Sequence, residues 1–337
     1  MSLGSINPTN NRGETPLHQA AKNDEREIAR YILKNKYVED KNPPDFVQNR
    51  TPLHYAALNG HFEFYRFMMK YVPHVNPPIS QVCTTPLHLA ALNCHCSVVN
   101  FITAKALELD LDPNPPDAQG YTPLHFAAMK CDFHSVKALV SMLKPAEMDV
   151  RNEGGYAPLH CAAEGGSLNV VKYLFHRVGN KDPRTDMGCT VAHQAAHFNR
   201  MTILKFLHQN KVNVMARNRN GDTPMHYAAR RGQVEAMQFL LSVSEDKSPK
   251  NHEDNTPFHI AVSYESQFDY KDAWQTSLFL CKHLPLDMLN SINKDGKSAL
   301  YYTIENYRNL GLFKAMQKVI DERKNPRMYT KPLMPYY

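Results

Sequence analysis

The chain has 337 residues, 42% hydrophobic and 21% charged, with 39 Lys and Arg against 33 Asp and Glu for a formal net charge of +6. That balance excludes wholesale disorder, and 14 glycines and 23 prolines without a period exclude collagen. No run approaches the ~18 consecutive apolar residues of a membrane span. Met1–Pro8 has neither a basic nor an apolar stretch, so no secretory signal is expected. Seven cysteines, an odd number in a long chain, argue for free thiols in a reducing compartment. A cytoplasmic or otherwise intracellular protein is the expectation.

Taken from the N-terminus, Ile6-Asn7-Pro8 reads as the closing turn of a still earlier repeat. Residues 1–14 are then a leader and a partial turn, consistent with a chain cut from a longer array. Thr15-Pro-Leu-His18 opens the first complete unit, and the same tetrapeptide returns at Thr51, Thr85 and Thr122. Variants begin at Ala157, Thr190, Thr223 and Thr256, and a weak ninth copy begins at Ser298. The intervals are 36, 34, 37, 35, 33, 33, 33 and 42 residues, a clustering that marks a repeat architecture. In each unit Thr is placed to cap a helix by accepting a backbone N–H, and Pro takes the first helical position, where its missing donor costs nothing. Leu at the third place, Ala at the sixth and seventh and often Gly at the tenth form one helical stripe, as in Leu53, Ala56, Ala57 and Gly60. A second amphipathic helix follows, such as Val170–Phe175 or Met237–Leu241. A turn then closes the unit around Gly13, Gly120, Gly155, Gly188, Gly221 or Gly296.

Three features depart from the period. Repeats 1 to 3 end in Asn-Pro-Pro turns, at Asn42–Pro44, Asn76–Pro78 and Asn114–Pro116. These are either lengthened surface turns or a stiff edge facing a partner. Repeat 8 carries an insertion near 265–273, before the only tryptophan, Trp274. Trp274 either serves recognition on that loop or begins the second helix and packs beneath it. The array ends near Lys324, and residues 325–337, with three prolines, form an extended tail.

On these motifs, over about nine-tenths of its length, the chain resembles the ankyrin-repeat family. The fold expected is all-α, a solenoid of about nine helix-turn-helix repeats over 15–324 joined by hairpin-like turns, because one unit cannot bury its own apolar faces. The resemblance implies a non-enzymatic scaffold that binds a partner protein or peptide on its concave side and at its turn tips.

The residues agree with the absence of an enzyme. Eight histidines recur at the fourth place of the repeat, which makes them structural. His193-Gln-Ala-Ala-His197 resembles a zinc-protease helix, but Gln194 stands where that chemistry needs a glutamate base. Cys94-His-Cys96 lacks the further ligands of a zinc site, and Cys131, one layer on from Cys94, is too far for a disulfide. No cofactor, metal or catalytic residue is assigned.

The helical wheel turns the fifth, eighth and ninth places toward the open side. Repeats 2 to 4 offer an apolar ladder there: Tyr55 and Leu58, Leu89 and Leu92, Phe126 and Met129. That ladder is either a partner site or partly buried core shaded by neighbouring turns. Between Arg200 and Arg231 the charge is strongly positive against one acid, Asp222, with Arg217 and Arg219 on a turn tip and Tyr227, Arg230 and Arg231 on an inner helix. An acidic or phosphorylated segment fits such a patch; a solvated face is the alternative. Nucleic acid is the less favoured partner, because Tyr227 is the only stacking aromatic there. A further alternative makes the array the cytosolic ankyrin domain of a larger multidomain protein or membrane channel.

Overall fold

The computed structural model describes residues 8–34, 40–79, 82–263, 270–305 and 310–324. Residues 1–7, most of the repeat 8 insertion and the tail from 325 lie outside them, so the expectations placed on those segments do too. The chain divides into two compact units, residues 1–183 and 184–337.

In the first unit five helix pairs follow one another: α1 (Pro16–Lys22) and α2 (Arg26–Lys34), α3 (Pro52–Leu58) and α4 (Phe62–Met68), α5 (Pro86–Leu92) and α6 (Cys96–Glu108), α7 (Pro123–Met129) and α8 (Phe133–Met142), α9 (Pro158–Gly165) and α10 (Leu168–Phe175). A 3-10 turn, Pro145–Asp149, precedes α9. The second unit holds α11 (Val191–His197) and α12 (Met201–Gln209), then α13 (Pro224–Arg230) and α14 (Val234–Val243). It continues with α15 (Pro257–Ser263), α16 (Tyr270–His283), the short α17 (Leu286–Leu289), α18 (Ala299–Glu305) and α19 (Leu310–Lys324). Within each unit first helices pack on first helices and second on second, as α3 on α5 on α7 and α12 on α14 on α16. Among the described residues there is no strand; a single bridge joins Ile292 and Ser298. No described helix is long and apolar enough to cross a membrane.

The stripe read from the sequence is the core. Leu53, Ala56, Ala57, Leu87, Ala90, Ala91, Leu124, Ala127 and Ala128 are fully buried, and the paired alanines let the first helices approach closely. Trp274 lies in α16 with its ring against Gly311 and is partly exposed.

The Thr and His of the motif work differently from simple capping. Thr85 and Thr256 alone have hydroxyls that accept from the helix, from His88 N and His259 N at 3.5 and 3.4 Å. Elsewhere the hydroxyl lies 2.9–3.0 Å from the histidine Nδ1, and that nitrogen also accepts the threonine's own N–H. With Nδ1 an acceptor, the proton must sit on Nε2. Nε2–H then donates into the next layer: His18 to Arg50 O, His54 to Thr84 O, His88 to Tyr121 O, His125 to Tyr156 O, His193 to Asp222 O, His226 to Asn255 O and His259 to Lys297 O. Each imidazole therefore pins its own helix start and the turn of the following repeat. His61 and His95 make a second inter-layer bond, to Lys22 O and Leu58 O at 2.9 Å.

The Asn-Pro-Pro turns have a local role. Asn42, Asn76 and Asn114 each accept, through Oδ1, the second N–H of the next repeat's first helix, from Leu53, Leu87 and Leu124 at 3.2, 3.0 and 3.0 Å. The prolines fix the chain where that reach is possible. Asn76→Ala should cost about 1 kcal/mol, the usual value of a lost helix cap, read as a lower urea midpoint; an unchanged midpoint would show the cap to be idle.

The hairpin turns stack by backbone. Phe46 N donates to Arg12 O, Glu153 N to Gln119 O, Arg219 N to Met187 O and His252 N to Asn220 O. Gly221 shows why the tip needs glycine: φ is +76°, and a Cβ there would lie 2.9 Å from the backbone nitrogen of His252.

Candidate interaction surface

Along α1, α3, α5 and α7 the fifth and eighth places run from polar to apolar. At the polar end the carboxylate of Glu14, almost fully buried, receives Lys22 Nζ at 2.5 Å, Gln19 Nε2 at 2.6 Å and Asn10 Nδ2 at 3.1 Å. The Lys22 bond holds its carboxyl below the usual range. Lys22 in turn sits 4.3 Å from the centre of the Tyr55 ring. The Tyr55 hydroxyl donates to Asp45 Oδ2 at 2.8 Å, and the other oxygen of that buried carboxylate accepts Val47 N and Gln48 N. Burial, then the Asp45 bond, pushes the Tyr55 hydroxyl up to about 12. Tyr55 is thus locked, with part of its ring left to solvent.

Leu58, Leu92, Phe126 and Met129 are half-buried. Phe126 stacks on Tyr121 with centroids 5.5 Å apart and meets the His88 ring edge-on at 5.9 Å. Leu89 differs: it is only 4% exposed and belongs to the core rather than to a contact surface.

In the second unit Tyr227 is the centre. Its hydroxyl lies 2.9 Å from Cys189 Sγ and accepts from Asn218 Nδ2 at 3.2 Å. Its ring meets His193 edge-on at 5.1 Å and His197 at 6.0 Å. The Arg230 guanidinium sits 5.3 Å from the ring centre and 3.5 Å from Asp222 Oδ2. Asp222, nearly inaccessible, also receives Asn251 Nδ2 at 2.8 Å. Burial, reinforced by Arg231 and Arg230, pushes the His197 imidazole down to about 4, so it adds no charge at neutral pH.

The five basic-patch residues are not equivalent. Arg217 is exposed, but its guanidinium bridges two turn tips, donating to Gly221 O at 2.9 Å and to Lys250 O. It is the middle of a ladder that sequence reasoning missed. Arg184 donates to Gly188 O and Arg217 O at 3.3 and 3.0 Å, and Lys250 Nζ to Ile292 O at 3.1 Å. The signal was present, since Arg184, Arg217 and Lys250 stand 33 residues apart, six before the motif threonine. Arg219 is exposed at its tip, whereas Tyr227, Arg230 and Arg231 are half-buried on or beside α13.

The His193 and His197 pair is not arranged for metal. Both His193 nitrogens are occupied, by Thr190 N and Asp222 O. Among the described residues no group of His, Cys, Asp or Glu is gathered closely enough to hold an ion. None of the seven cysteines is in a disulfide.

Sequence patterns described as ankyrin repeats (3 copies) match residues 2–79, 39–114 and 87–186, and those described as ankyrin repeats (many copies) match 192–241. The chain is 28% identical over 168 residues to putative palmitoyltransferase ZDHHC13 of Danio rerio, covering 50% of this chain and 25% of that protein. It is 39% identical over 66 residues to ankyrin repeat domain-containing protein SOWAHB of Homo sapiens, covering 18% and 8%. Alpha-latrocrustotoxin-Lt1a of Latrodectus tredecimguttatus is 35% identical over 81 residues, covering 24% and 5%. The similarity thus spans a quarter or less of each relative's length.

Proposed function

Because the chain belongs to the ankyrin-repeat family, whose repeats are a non-enzymatic protein-interaction fold, we propose that it holds a partner protein or peptide on the fifth- and eighth-place surface of its first helices. The contact residues are Tyr55, Leu58, Leu92, Phe126 and Met129. The observation that carries this reading is the preorganisation of two half-exposed aromatics, Tyr55 by Asp45 and Phe126 by Tyr121 and His88. An aromatic already held in place loses little freedom on binding, which favours its use as an anchor. In the second unit the exposed Arg219 favours an acidic or phosphorylated segment, since arginine forks match carboxylate and phosphate, with Arg230 and Arg231 adding positive charge beside it. Arg217 contributes less, because its fork is already spent on the turn ladder. Seven cysteines that form no disulfide support an intracellular site of action.

Changing Leu92 to Asp, Phe126 to Ser and Met129 to Asp together should reduce recovery of specifically captured proteins at least about tenfold, the usual weight of a few central contacts. Equal recovery from a folded triple variant would remove this surface from the function. A second reading, that the array is the recognition part of a larger protein, is favoured by the small share of each relative that it matches. The size of the endogenous protein on an immunoblot tests it.

A further inference from the structure

Leu58, Leu92 and Met129 stand at the eighth place of α3, α5 and α7, one half-buried apolar side chain per layer. All three layers have neighbours on both sides, since α1 packs on α3 and α7 on α9. Polar residues bound the column, Lys22 in the layer before it and Glu164 in the layer after. First helices of successive layers pack about 10 Å apart, so a partner chain running along the column meets one apolar site every ~10 Å. Two chain forms have that period: an α-helix in about seven residues, at a rise of about 1.5 Å, and a strand in about three, at about 3.3 Å.

Backbone hydrogen bonding separates the two. A strand laid on the column would need partners for its own N–H and C=O groups, but the carbonyls at the ends of these helices are already engaged. Lys22 O accepts from Asn59 Nδ2 and His61 Nε2, Leu58 O from His95 Nε2, and Leu89 O from Asn93 Nδ2. A helix brings its own backbone bonds and needs only apolar contact. Charge on the rim is one-sided. Lys130, exposed, follows Met129, and Arg50 lies 6.0 Å from the centre of the Tyr55 ring. The carboxylates of Glu14 and Asp45 nearby are buried and bonded to Lys22 and Tyr55.

Resting on the contact surface proposed above, we infer that the partner element is an amphipathic α-helix of about four turns, with apolar residues at i, i+7 and i+14 and acidic residues flanking them beside Lys130 and Arg50. Two synthetic peptides test it by fluorescence anisotropy with the full chain. One carries leucines at i, i+7 and i+14, with flanking glutamates, in a lactam-stapled helix. The other carries the same glutamates and leucines at i, i+3 and i+6 in an open chain whose helix two prolines prevent. The helical peptide should bind at least about tenfold more tightly, and Leu92→Asp should remove that advantage. Lys130→Glu alters an exposed side chain and so tests the inference even where Leu92→Asp fails to fold. It should weaken binding about threefold at low salt, and a helical peptide with lysine for glutamate should bind it better than the parent. Far-UV circular dichroism reports whether each variant is folded. Tighter binding by the open peptide, abolished by Leu92→Asp, would sink the helix and keep the surface. Helical binding indifferent to both substitutions, or no binding by the helical peptide, would overturn the inference, and the capture experiment with the triple variant decides the surface separately.

Discussion

His125→Ala is expected to destabilise the first unit by about 3 kcal/mol, the sum of a buried cavity and two backbone groups left without partners. The ring is fully buried; its Nδ1 accepts Thr122 N at 3.0 Å and its Nε2–H donates to Tyr156 O at 2.9 Å. Alanine supplies neither bond. Because each layer touches only its neighbours, the loss falls on the α7–α9 contact and is not shared along the array. Urea unfolding followed by far-UV circular dichroism reads it. His134→Ala, on an exposed part of α8, serves as the control and should change stability by less than about 0.5 kcal/mol. Equal midpoints for the two variants would deny the motif histidine its bridging role.

The same geometry makes the array acid-labile in a defined window. Burial pushes the imidazoles of His54, His125 and His193 down to about 4, against an unfolded value of 6.5. His18, His88, His226 and His259 are lowered for the same cause. A lowered value means that folding favours the neutral ring, which alone can accept at Nδ1. Its stabilisation is complete above 6.5 and is lost as pH falls from there through about 4. Near pH 5 the loss should be about 2 kcal/mol for each ring pushed down to about 4, which is large against the roughly 5–15 kcal/mol that holds a domain together. Thermal melts should therefore fall steadily between about pH 6.5 and pH 4.5, above the range in which carboxylates such as Glu14 and Asp45 titrate. A melting temperature flat across that interval would mean that the buried rings do not oppose protonation.

The repeat was legible because its signal is local and periodic. Thr-Pro-Leu-His dictates a helix start wherever it occurs, and paired alanines three places on specify the buried stripe. The recurrence of histidine at the fourth place was enough to mark it as part of the frame, where it joins its own helix start to the next turn. The turn residues were equally readable, since the chain reverses at Gly221 for reasons contained in its own few residues.

Which surface side chains remain available was not legible in the same way. The fifth place looks identical in Leu89 and Phe126, yet Leu89 is closed over and Phe126 is half open, because exposure depends on the neighbouring layers' side chains. Arg217 and Arg219 stand two residues apart on one turn with the same charge. Only the approach of the next turn, bringing Lys250 O within reach, turned the first into a strut and left the second at the tip. The sequence alone therefore determined the helix pairs, their order and their buried stripe, since these follow from contacts within one repeat. The tertiary structure decided which groups are spent on holding layers together, because hydrogen bonds and shading between layers join residues some 33 positions apart.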